Sequence, residues 1–350
     1  MALFDLDIFS QSIPKWNKAP VSLVNKLCPV LEQLTPSIKI NNIDIEYSGA
    51  SEINSANYRV SNFENKFVVK KWPKGKDVKN IQSIEKVTYF LKESDIPVAD
   101  IIPFRDGEKI MKSKSNFWTC SNFIPGEFYS GKKDQLRQVS ILTAKTVTSL
   151  NNLSIRSYST NQIMYEIEDI YMVFKRFSMI RSQWDLFLGD KTYNLLDTNW
   201  DNLFKKCNLF KRSKINGGPV SLSHYDMHPH NLLFQENNPS CLLDLESIVK
   251  IPIGFSVAYS ALKQCRQYVA FNRDSCPPSH VGKTYLDTLK SHLRIKKSEV
   301  WIKNFSEMAQ IETMRRIAII FELNFKGDKK WNKMLPLLIN NFHEAQELFN

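Results

Sequence analysis

The stretch from residue 221 to residue 246 constrains this chain more than any other. An apolar run leads into His224-x-Asp226, and Asn231 follows and opens a second apolar run. After a segment rich in turn residues, a third apolar run ends at Asp244. Short strands separated by turn residues are typical of hairpins, so this pattern predicts a loop followed by a hairpin. The hairpin would bring one carboxylate, one carboxamide and a second carboxylate to the same end of a small sheet.

These three side chains match the needs of phosphoryl transfer from a nucleotide. In the protein-kinase template, one carboxylate accepts or orients the proton of the acceptor hydroxyl. An amide and a second carboxylate hold the magnesium ion that bridges the phosphates. We therefore predict that Asp226 acts on the acceptor, and that Asn231 and Asp244 bind Mg2+.

The stretch resembles the H-x-D-x-x-x-x-N loop of the aminoglycoside phosphotransferase and choline kinase family of small-molecule kinases. The ending Asp244-x-Glu246 looks more like that family than like protein kinases, which carry D-F-G, and His224-x-Asp226 lacks the Arg of H-R-D. The resemblance implies an α+β, bilobal, protein-kinase-like fold, with ATP and Mg2+ as cofactors. It also implies a structural role for His224, and it leaves Glu246 to tune the metal site or to contact the acceptor.

The segment before this loop has the pattern of a nucleotide-binding lobe. Residues 43–47, 56–60 and 66–72 read as three strands separated by turns. By the resemblance, the first turn, which contains Ser51, lies over the phosphates, and Lys70 of the third strand reaches them. The turn holds a single glycine, which is unlike the G-x-G-x-x-G of protein kinases, whereas the family commonly has a Ser/Asn-rich turn.

A helix and a hinge complete the predicted nucleotide lobe. Residues 81–91 have the apolar spacing of an amphipathic helix, and Glu85 lies on it. In this fold a helix glutamate pairs with the strand lysine, so we expect Glu85 to hold Lys70 against the phosphates. Residues 116–127 resemble the family's last strand of this lobe, which runs into a glycine-containing hinge that bonds the adenine. The predicted hinge residues are Asn122, Phe123 and Ile124.

The chain divides into three predicted parts. Residues 1–41 form a helical N-terminal extension, with a helix at 21–34 packed on the first lobe. Residues 42–124 form the nucleotide-binding lobe, and residues 125–350 form the catalytic and acceptor-binding lobe. Apolar spacing predicts the main helices of the last part at 132–150, 162–188, 192–207, 254–271, 285–292, 298–323 and 331–348.

One element of the family pattern is replaced. Family members often carry an Asp shortly after the position of Gly254, where it ties the following segment to the catalytic loop. This chain has Phe255-Ser256-Val257-Ala258 there instead. We therefore expect that this support is missing or is provided by another side chain.

Composition sets the broad class of protein. The chain has 350 residues, of which 43% are hydrophobic and 24% charged, as is ordinary for a soluble globular protein. No apolar run approaches the roughly 20 residues of a membrane span. The six scattered cysteines form no C-x-x-C pair, which favours a reducing compartment. We expect a cytoplasmic monomer or homodimer that does not associate with membranes.

The net charge of the chain indicates which classes of molecule it binds. The chain has 47 basic and 36 acidic residues and a formal net charge of +11. Much of this excess is dispersed lysine, so we interpret it as a solvated surface and expect no nucleic acid partner. The expected partner is a small-molecule acceptor with a hydroxyl group: an amino alcohol, a sugar or an aminoglycoside-like compound. The positive balance argues mildly against a polycationic aminoglycoside, and we favour the first two.

Three alternative functions remain open at this level. The cluster of His224, His228 and His230 could bind zinc, although the neighbouring carboxylates would then have no role. The chain could be a catalytically silent, kinase-shaped binding or structural protein, in line with its unusual turn and the missing Asp after Gly254. A protein kinase is the third alternative, and the absence of H-R-D and D-F-G counts against it.

Overall fold

The computed structural model describes residue 4 and residues 14–34, 44–48, 56–61, 65–153, 166–213, 215–272 and 275–350. These residues form a smaller lobe built on an antiparallel sheet, followed by a larger lobe that is mainly helical. This arrangement confirms the predicted α+β, bilobal, protein-kinase-like fold.

One antiparallel sheet and two helices make up the described part of the N-terminal lobe. In chain order its elements are β1 (Asn17–Lys18), α1 (Val21–Leu31), β2 (Asp44–Ser48), β3 (Ala56–Ser61), β4 (Lys66–Lys71), α2 (Val78–Glu93), β5 (Ile101–Ile102), β6 (Met111–Ser113) and β7 (Asn116–Asn122). The strands lie in the order β1-β2-β3-β4-β7-β5, and β6 also pairs with β7. Helix α1 packs on this lobe, as predicted. Strand β1 adds an edge strand, which was not predicted because its two residues, Asn17 and Lys18, are polar.

The alternation of side chains along β4 determines what this sheet presents to the cleft. Phe67 and Val69 are buried in a core that they share with Leu27 of α1. Successive side chains of a strand point to opposite faces, so Val68 and Lys70 lie on the other face. Both residues line the cleft between the lobes.

The C-terminal lobe follows with small sheets and long helices. In chain order its elements are β8 (Glu127–Phe128), α3 (Gln135–Asn152), α4 (Ile167–Ser178), α5 (Asp190–Ser213), β9 (Val220–His224), β10 (Leu232–Gln235), β11 (Asn238–Leu242), β12 (Ile248–Pro252), α6 (Ile253–Phe271), α7 (Pro278–His292), α8 (Ser298–Ile302), α9 (Phe305–Phe325) and α10 (Leu335–Phe349). Strands β8, β10 and β11 form one sheet, and β9 pairs with β12. The hairpin of β10 and β11 is the one predicted between Asn231 and Asp244.

Several predicted elements are shorter than expected. Of the helix predicted at 162–188, residues 162–165 lie outside the described residues, and the rest contains α4 and then the 3-10 segment Arg181–Leu186. The helix predicted at 298–323 is divided into α8 and α9. Apolar spacing continues across both breaks, so periodicity alone does not show them. Strand β5 covers only Ile101–Ile102, and the chain before it bonds to the C-terminal lobe: the Leu242 N–H donates to the Pro97 carbonyl at 2.7 Å.

The N-terminal segment also contacts the C-terminal lobe. Phe4 is buried in the main core of that lobe, and its backbone N–H donates to Glu344 Oε1 of α10 at 2.6 Å. The described residues of the predicted extension therefore touch both lobes. No helix in the described part of the chain is long and apolar enough to cross a membrane.

Candidate active site

The loop between β9 and β10 is closed by its own hydrogen bonds. Asp226 lies two residues beyond the end of β9, and a 3-10 turn, Pro229–Asn231, leads into β10. The Asn231 Nδ2 donates to the Asp226 carbonyl at 2.8 Å, and the Asn231 N–H donates to the His228 carbonyl at 2.9 Å. These bonds hold the two predicted catalytic residues at opposite ends of one short loop, which we call the catalytic loop (residues 224–231).

His224 ties the catalytic loop to the end of β11. Its Nδ1 accepts from the Asp226 N–H at 3.3 Å, so the proton lies on Nε2, which donates to the Leu243 carbonyl at 2.9 Å. Burial lowers the pKa of His224, and the ring is neutral. A second bond, from the Leu243 N–H to the Asn231 carbonyl at 2.8 Å, fixes the residue before Asp244. The contacts of His224 are those of a structural residue.

Asp244 occupies a sharp turn immediately after this tie. Its backbone has φ 55° and ψ 48°, in the left-handed region, which few non-glycine residues adopt. The Ser247 N–H donates to the Asp244 carbonyl at 2.9 Å, and the Ser247 hydroxyl donates to Oδ2. Burial and the nearby Glu246 raise the pKa of Asp244 to about 6. A divalent cation at this carboxylate would favour the ionised form.

The partner of Lys70 is Glu246. The Lys70 Nζ lies 2.9 Å from Glu246 Oε1 and 4.4 Å from the centroid of the Trp72 ring. Burial alone would raise the pKa of Glu246, but the ammonium group outweighs burial and the pKa is lowered. The predicted pairing of Lys70 with Glu85 is therefore wrong in this structure. Glu85 instead pairs with Lys109, with Nζ 3.0 Å from Oε1.

A cleft of about 520 Å³ lies between the lobes. Its walls come from the β4 face, the hinge and the end of the β10–β11 hairpin. Ser51 lies outside the described residues. The other predicted residues of the nucleotide and metal sites all line this cleft: Lys70, Glu85, Asn122, Phe123, Ile124, Asn231, Asp244 and Glu246.

Fewer backbone N–H groups of the hinge are available to a ligand than predicted. The Asn122 N–H donates to the Asp100 carbonyl at 2.9 Å, and the Phe123 N–H donates to the Lys66 carbonyl at 3.1 Å. A base at the hinge would therefore meet the backbone carbonyl groups of Asn122 and Phe123 and the backbone of Ile124.

Sequence analysis missed two residues beside the hinge. Trp16 and Arg59 both line the cleft. The Trp16 ring lies 6.5 Å from the Phe123 ring, and the Arg59 guanidinium lies 5.2 Å from the Trp16 centroid. Trp16 precedes the predicted lobe in the chain, so no local pattern assigns it to this wall.

A second cavity of about 590 Å³ lies on the other side of the catalytic loop. Helices α6 and α9 and the start of α10 form its walls, and Asp226 lies at its edge. His230 lines both cavities, so the two meet at the catalytic loop. We call this cavity the helical pocket. Its lining residues are Asp226, His228, Pro229, His230, Tyr259, Lys263, Arg266, Gln267, Arg316, Ile319, Ile320, Leu323, Trp331, Met334, Leu337 and Leu338.

Arg316 of α9 is the neighbour of Asp226 that the sequence did not indicate. Its Nη2 lies 3.4 Å from Asp226 Oδ1 and donates to the Tyr225 carbonyl at 3.2 Å. The guanidinium also lies 3.7 Å from the centroid of the Tyr259 ring. Burial would raise the pKa of Asp226, but His228 and Arg316 outweigh it, so the pKa is lowered and the carboxylate stays ionised near neutral pH.

Ser256 replaces the support that the family often obtains from an Asp. Its hydroxyl donates to the His224 carbonyl at 2.8 Å and lies 2.7 Å from the Ser223 hydroxyl. All three residues are buried. The N-terminal part of α6 is thereby tied directly to the catalytic loop.

The residues at the end of the cleft suit a magnesium ion. Asn231 uses its amide nitrogen within the catalytic loop, which leaves its amide oxygen for a cation. Asp244 supplies carboxylate oxygens on the same cleft. Oxygen ligands of this kind are those that Mg2+ prefers.

Comparison with solved structures supports the fold. An aminoglycoside phosphotransferase from Alicyclobacillus acidocaldarius superposes with a TM-score of 0.63 at 11% identity, over 95% of this chain and 94% of the other. An amicoumacin kinase in complex with AMP-PNP, Ca2+ and Ami gives 0.60 at 11% identity, over 94% and 95% of the two chains. The choline kinase of Cryptosporidium parvum gives 0.57 at 14% identity, over 93% and 95%.

Sequence comparison identifies the family. No curated protein sequence matches the chain. The model of the phosphotransferase enzyme family (APH) matches residues 48–280, which include β3, the hinge, the catalytic loop and Asp244. The match covers about two thirds of the sequence, and the chain therefore belongs to the phosphotransferase enzyme family.

Proposed function

We propose that this protein transfers the γ-phosphoryl group of ATP, with Mg2+, to a hydroxyl group of a small molecule. The observation that carries the proposal is the meeting of two cavities at the catalytic loop. Asn231 and Asp244 line the cleft, Asp226 lines the helical pocket, and His230 lines both. A nucleotide in one cavity and an acceptor in the other would be separated only by this loop.

The residues of the cleft suit the phosphate end of a nucleotide. Lys70, held by Glu246, would bind the α and β phosphates, and Asn231 and Asp244 would hold the metal. When bound, Mg2+ would neutralise the negative charge that develops on the phosphates. The hinge around Ile124 would receive the base, with Trp16 close to it.

Asp226 would act on the acceptor. As a new bond forms between the acceptor oxygen and the γ phosphorus, the bond from that phosphorus to the bridging oxygen breaks, and ADP leaves. The hydroxyl proton passes to Asp226, or is oriented by it. The lowered pKa of Asp226 keeps it in the form that can accept a proton. Arg316 and His228, on either side of the carboxylate, would position it.

The similar solved structures support the proposed phosphoryl transfer from ATP. One is a kinase with AMP-PNP and Ca2+ bound, and the others are a choline kinase and an aminoglycoside phosphotransferase. We also propose a reducing, cytoplasmic location for the protein, because all six cysteines are free thiols.

Two variants test the assignment of the two carboxylates. We expect Asp244→Ala to weaken Mg-ATP binding at least tenfold, because a metal ligand is lost. Asp226→Asn should bind Mg-ATP within about threefold of the wild type, because Asp226 lies on the acceptor side. Calorimetric titration with Mg-ATP, and with ATP and EDTA as the metal-free control, measures both. Unchanged Mg-ATP affinity in Asp244→Ala would contradict the proposed metal site.

A further inference from the structure

Part of the cleft wall comes from a residue that precedes the first lobe in the sequence. Trp16 lines the cleft together with Arg59 of β3 and Phe123 of the hinge. The family model begins its match at residue 48, so Trp16 lies outside the segment that identifies the family. This part of the wall therefore has no function assigned by the family match.

Main-chain pairing attaches Trp16 to the sheet of the first lobe. Strand β1 begins at the next residue and pairs antiparallel with β2. Directly after β1, the Ala19 N–H donates to the Ile45 carbonyl at 2.9 Å, and the Ala19 side chain is buried. Trp16 is thus fixed next to the same sheet that carries Lys70.

The side chain of Arg59 contacts the rings of both Trp16 and Phe123. Tyr58 and Val60, its neighbours on β3, are buried in the core of the lobe, so Arg59 lies on the face of the sheet that lines the cleft. Its guanidinium lies 5.2 Å from the centroid of the Trp16 ring and 5.4 Å from that of the Phe123 ring. A cation at this distance is attracted to an aromatic ring.

An ion pair fixes the guanidinium group of Arg59. Glu46 lies directly opposite Arg59 on β2, and the Arg59 Nε donates to Glu46 Oε2 at 2.7 Å. Both side chains are largely shielded, at 24% and 28% exposure. Because Arg59 already has a carboxylate partner, we assign it to the positioning of the two rings and not to the binding of phosphate.

The two rings form a corner beside the hinge. Their centroids lie 6.5 Å apart and their planes are inclined at 68°, an edge-to-face arrangement that aromatic pairs favour. Both side chains are half-buried and both line the cleft. We call Trp16 and Phe123 the aromatic corner. It offers a flat apolar contact to a planar ligand at the hinge.

The aromatic corner and Lys70 are spaced along the same sheet. Asn57 of β3 is the register partner of Lys70, and Arg59 lies two positions further along the strand. Two residues of a strand span about 7 Å. The ribose of a nucleotide can bridge this spacing, so its base would reach the aromatic corner when its phosphates lie at Lys70.

We propose that Trp16 stacks on the base of ATP, so that the segment before the first lobe supplies part of the nucleotide site. Arg59, held by Glu46, is a positioning residue that keeps the Trp16 ring beside Phe123. The inference rests on the proposed kinase function and adds to it a residue that determines affinity for the base. Since every base has a flat π face, this contact strengthens the binding of ATP and GTP alike.

Two variants of Trp16 and two ligands test the inference by calorimetric titration. The ligands are Mg-ATP and Mg-tripolyphosphate, which has the phosphate chain without a base. We expect Trp16→Leu, which has no aromatic face, to weaken Mg-ATP binding about tenfold and to leave Mg-tripolyphosphate binding within about twofold. Trp16→Phe keeps an aromatic face and should bind Mg-ATP within about threefold of the wild type. Tyr89→Leu is the control, because Tyr89 is an exposed aromatic residue of α2 that does not line the cleft.

The possible results separate the inference from the kinase function. Unchanged Mg-ATP affinity in Trp16→Leu would overturn the inference. Equal losses for Mg-ATP and Mg-tripolyphosphate would also overturn it, since Trp16 would then act through the structure of the lobe and not through the base. Equal losses of Mg-ATP affinity in Trp16→Leu and Trp16→Phe would exclude stacking as the contact. A wild-type protein that does not bind Mg-ATP would overturn the kinase function itself, and the inference with it.

Discussion

The Lys70 ammonium group forms an ion pair with Glu246, a residue 176 positions later in the chain, with 2.9 Å between Nζ and Oε1. The pair joins the sheet of the first lobe to the turn that carries Asp244. Both side chains are largely shielded, at 20% and 23% exposure. The pair therefore places the Lys70 ammonium group next to the proposed metal ligand.

A double-mutant cycle tests which glutamate is the partner of Lys70. The combination of Lys70→Met with Glu246→Gln should show a coupling of about 1 kcal/mol in the free energy of unfolding, as expected for a partly buried pair. The combination of Lys70→Met with Glu85→Gln should show none, because Glu85 pairs with Lys109. Urea denaturation of the single and double variants provides the values. Coupling to Glu85 and not to Glu246 would restore the pairing expected from the sequence.

The contact between α6 and the catalytic loop is expected to contribute to both stability and turnover. Ser256→Ala leaves the buried His224 carbonyl and Ser223 hydroxyl without this partner, so the free energy of unfolding should fall by about 1 to 2 kcal/mol. Phosphoryl transfer should also slow, while Mg-ATP affinity stays unchanged. In the control, Ser291→Ala, an exposed hydroxyl that bonds to the Thr288 carbonyl is removed, and a change below about 0.5 kcal/mol is expected. Equal losses in the two variants would contradict a special role for Ser256.

The half-buried His228 at the mouth of the helical pocket makes stability depend on pH. Burial lowers the pKa of His228 to about 4, whereas in an unfolded chain it lies near 6.5. Between these values the unfolded chain binds a proton that the folded protein does not, so the free energy of unfolding falls as the pH drops from about 6.5 to 4. The stability contributed by the lowered pKa of Asp226 is lost only below this range.

Replacement of this histidine isolates its contribution. In His228→Gln the fall in the free energy of unfolding between pH 6.5 and 4 should be smaller by up to about 3 kcal/mol, since one pKa unit corresponds to ~1.4 kcal/mol. Chemical denaturation at a series of pH values measures the difference. His292→Gln, at the end of α7, serves as the control. Parallel pH profiles for the wild type and His228→Gln would rule out a lowered pKa of His228 in the folded protein.

The packing of α7 against α10 depends on a glycine. A Cβ atom built on Gly282 would lie 1.8 Å from the Leu348 carbonyl oxygen, a backbone atom that cannot move aside without shifting α10. Gly282→Ala should therefore destabilise the protein by more than about 3 kcal/mol. A Cβ on Gly189 meets nothing within 4 Å, so Gly189→Ala should be nearly neutral. Thermal melting of both variants checks this contrast, and a neutral Gly282→Ala would contradict the helix packing.

The parts of the site that sequence analysis predicted are those that depend on local geometry. Asp226, Asn231 and Asp244 lie within 19 positions of one another, and a loop followed by a short hairpin fixes their arrangement. The face of β4 that carries Lys70 follows from the alternation of its neighbours Phe67 and Val69. Both features follow from the order of strands and turns alone.

Other parts of the site could not be predicted because they depend on packing between distant segments. Arg316 approaches Asp226 from a helix 90 positions later, and its neighbours on α9 show only the spacing of buried residues. Glu85 and Glu246 have identical side chains, and only the path of the chain determines which of them reaches Lys70. The contact between Arg316 and the Tyr259 ring depends in the same way on which face of α6 is turned towards α9.

The central claim is that Asp226 promotes phosphoryl transfer to a small molecule. The most direct test incubates the wild-type protein and Asp226→Asn with an unfractionated metabolite extract and Mg-ATP labelled on the γ phosphate. The account predicts that the wild type transfers label to a small molecule, and that Asp226→Asn loses at least 99% of this transfer while it still binds Mg-ATP. Label found in protein and not in small molecules, or transfer by Asp226→Asn at the wild-type rate, would contradict it.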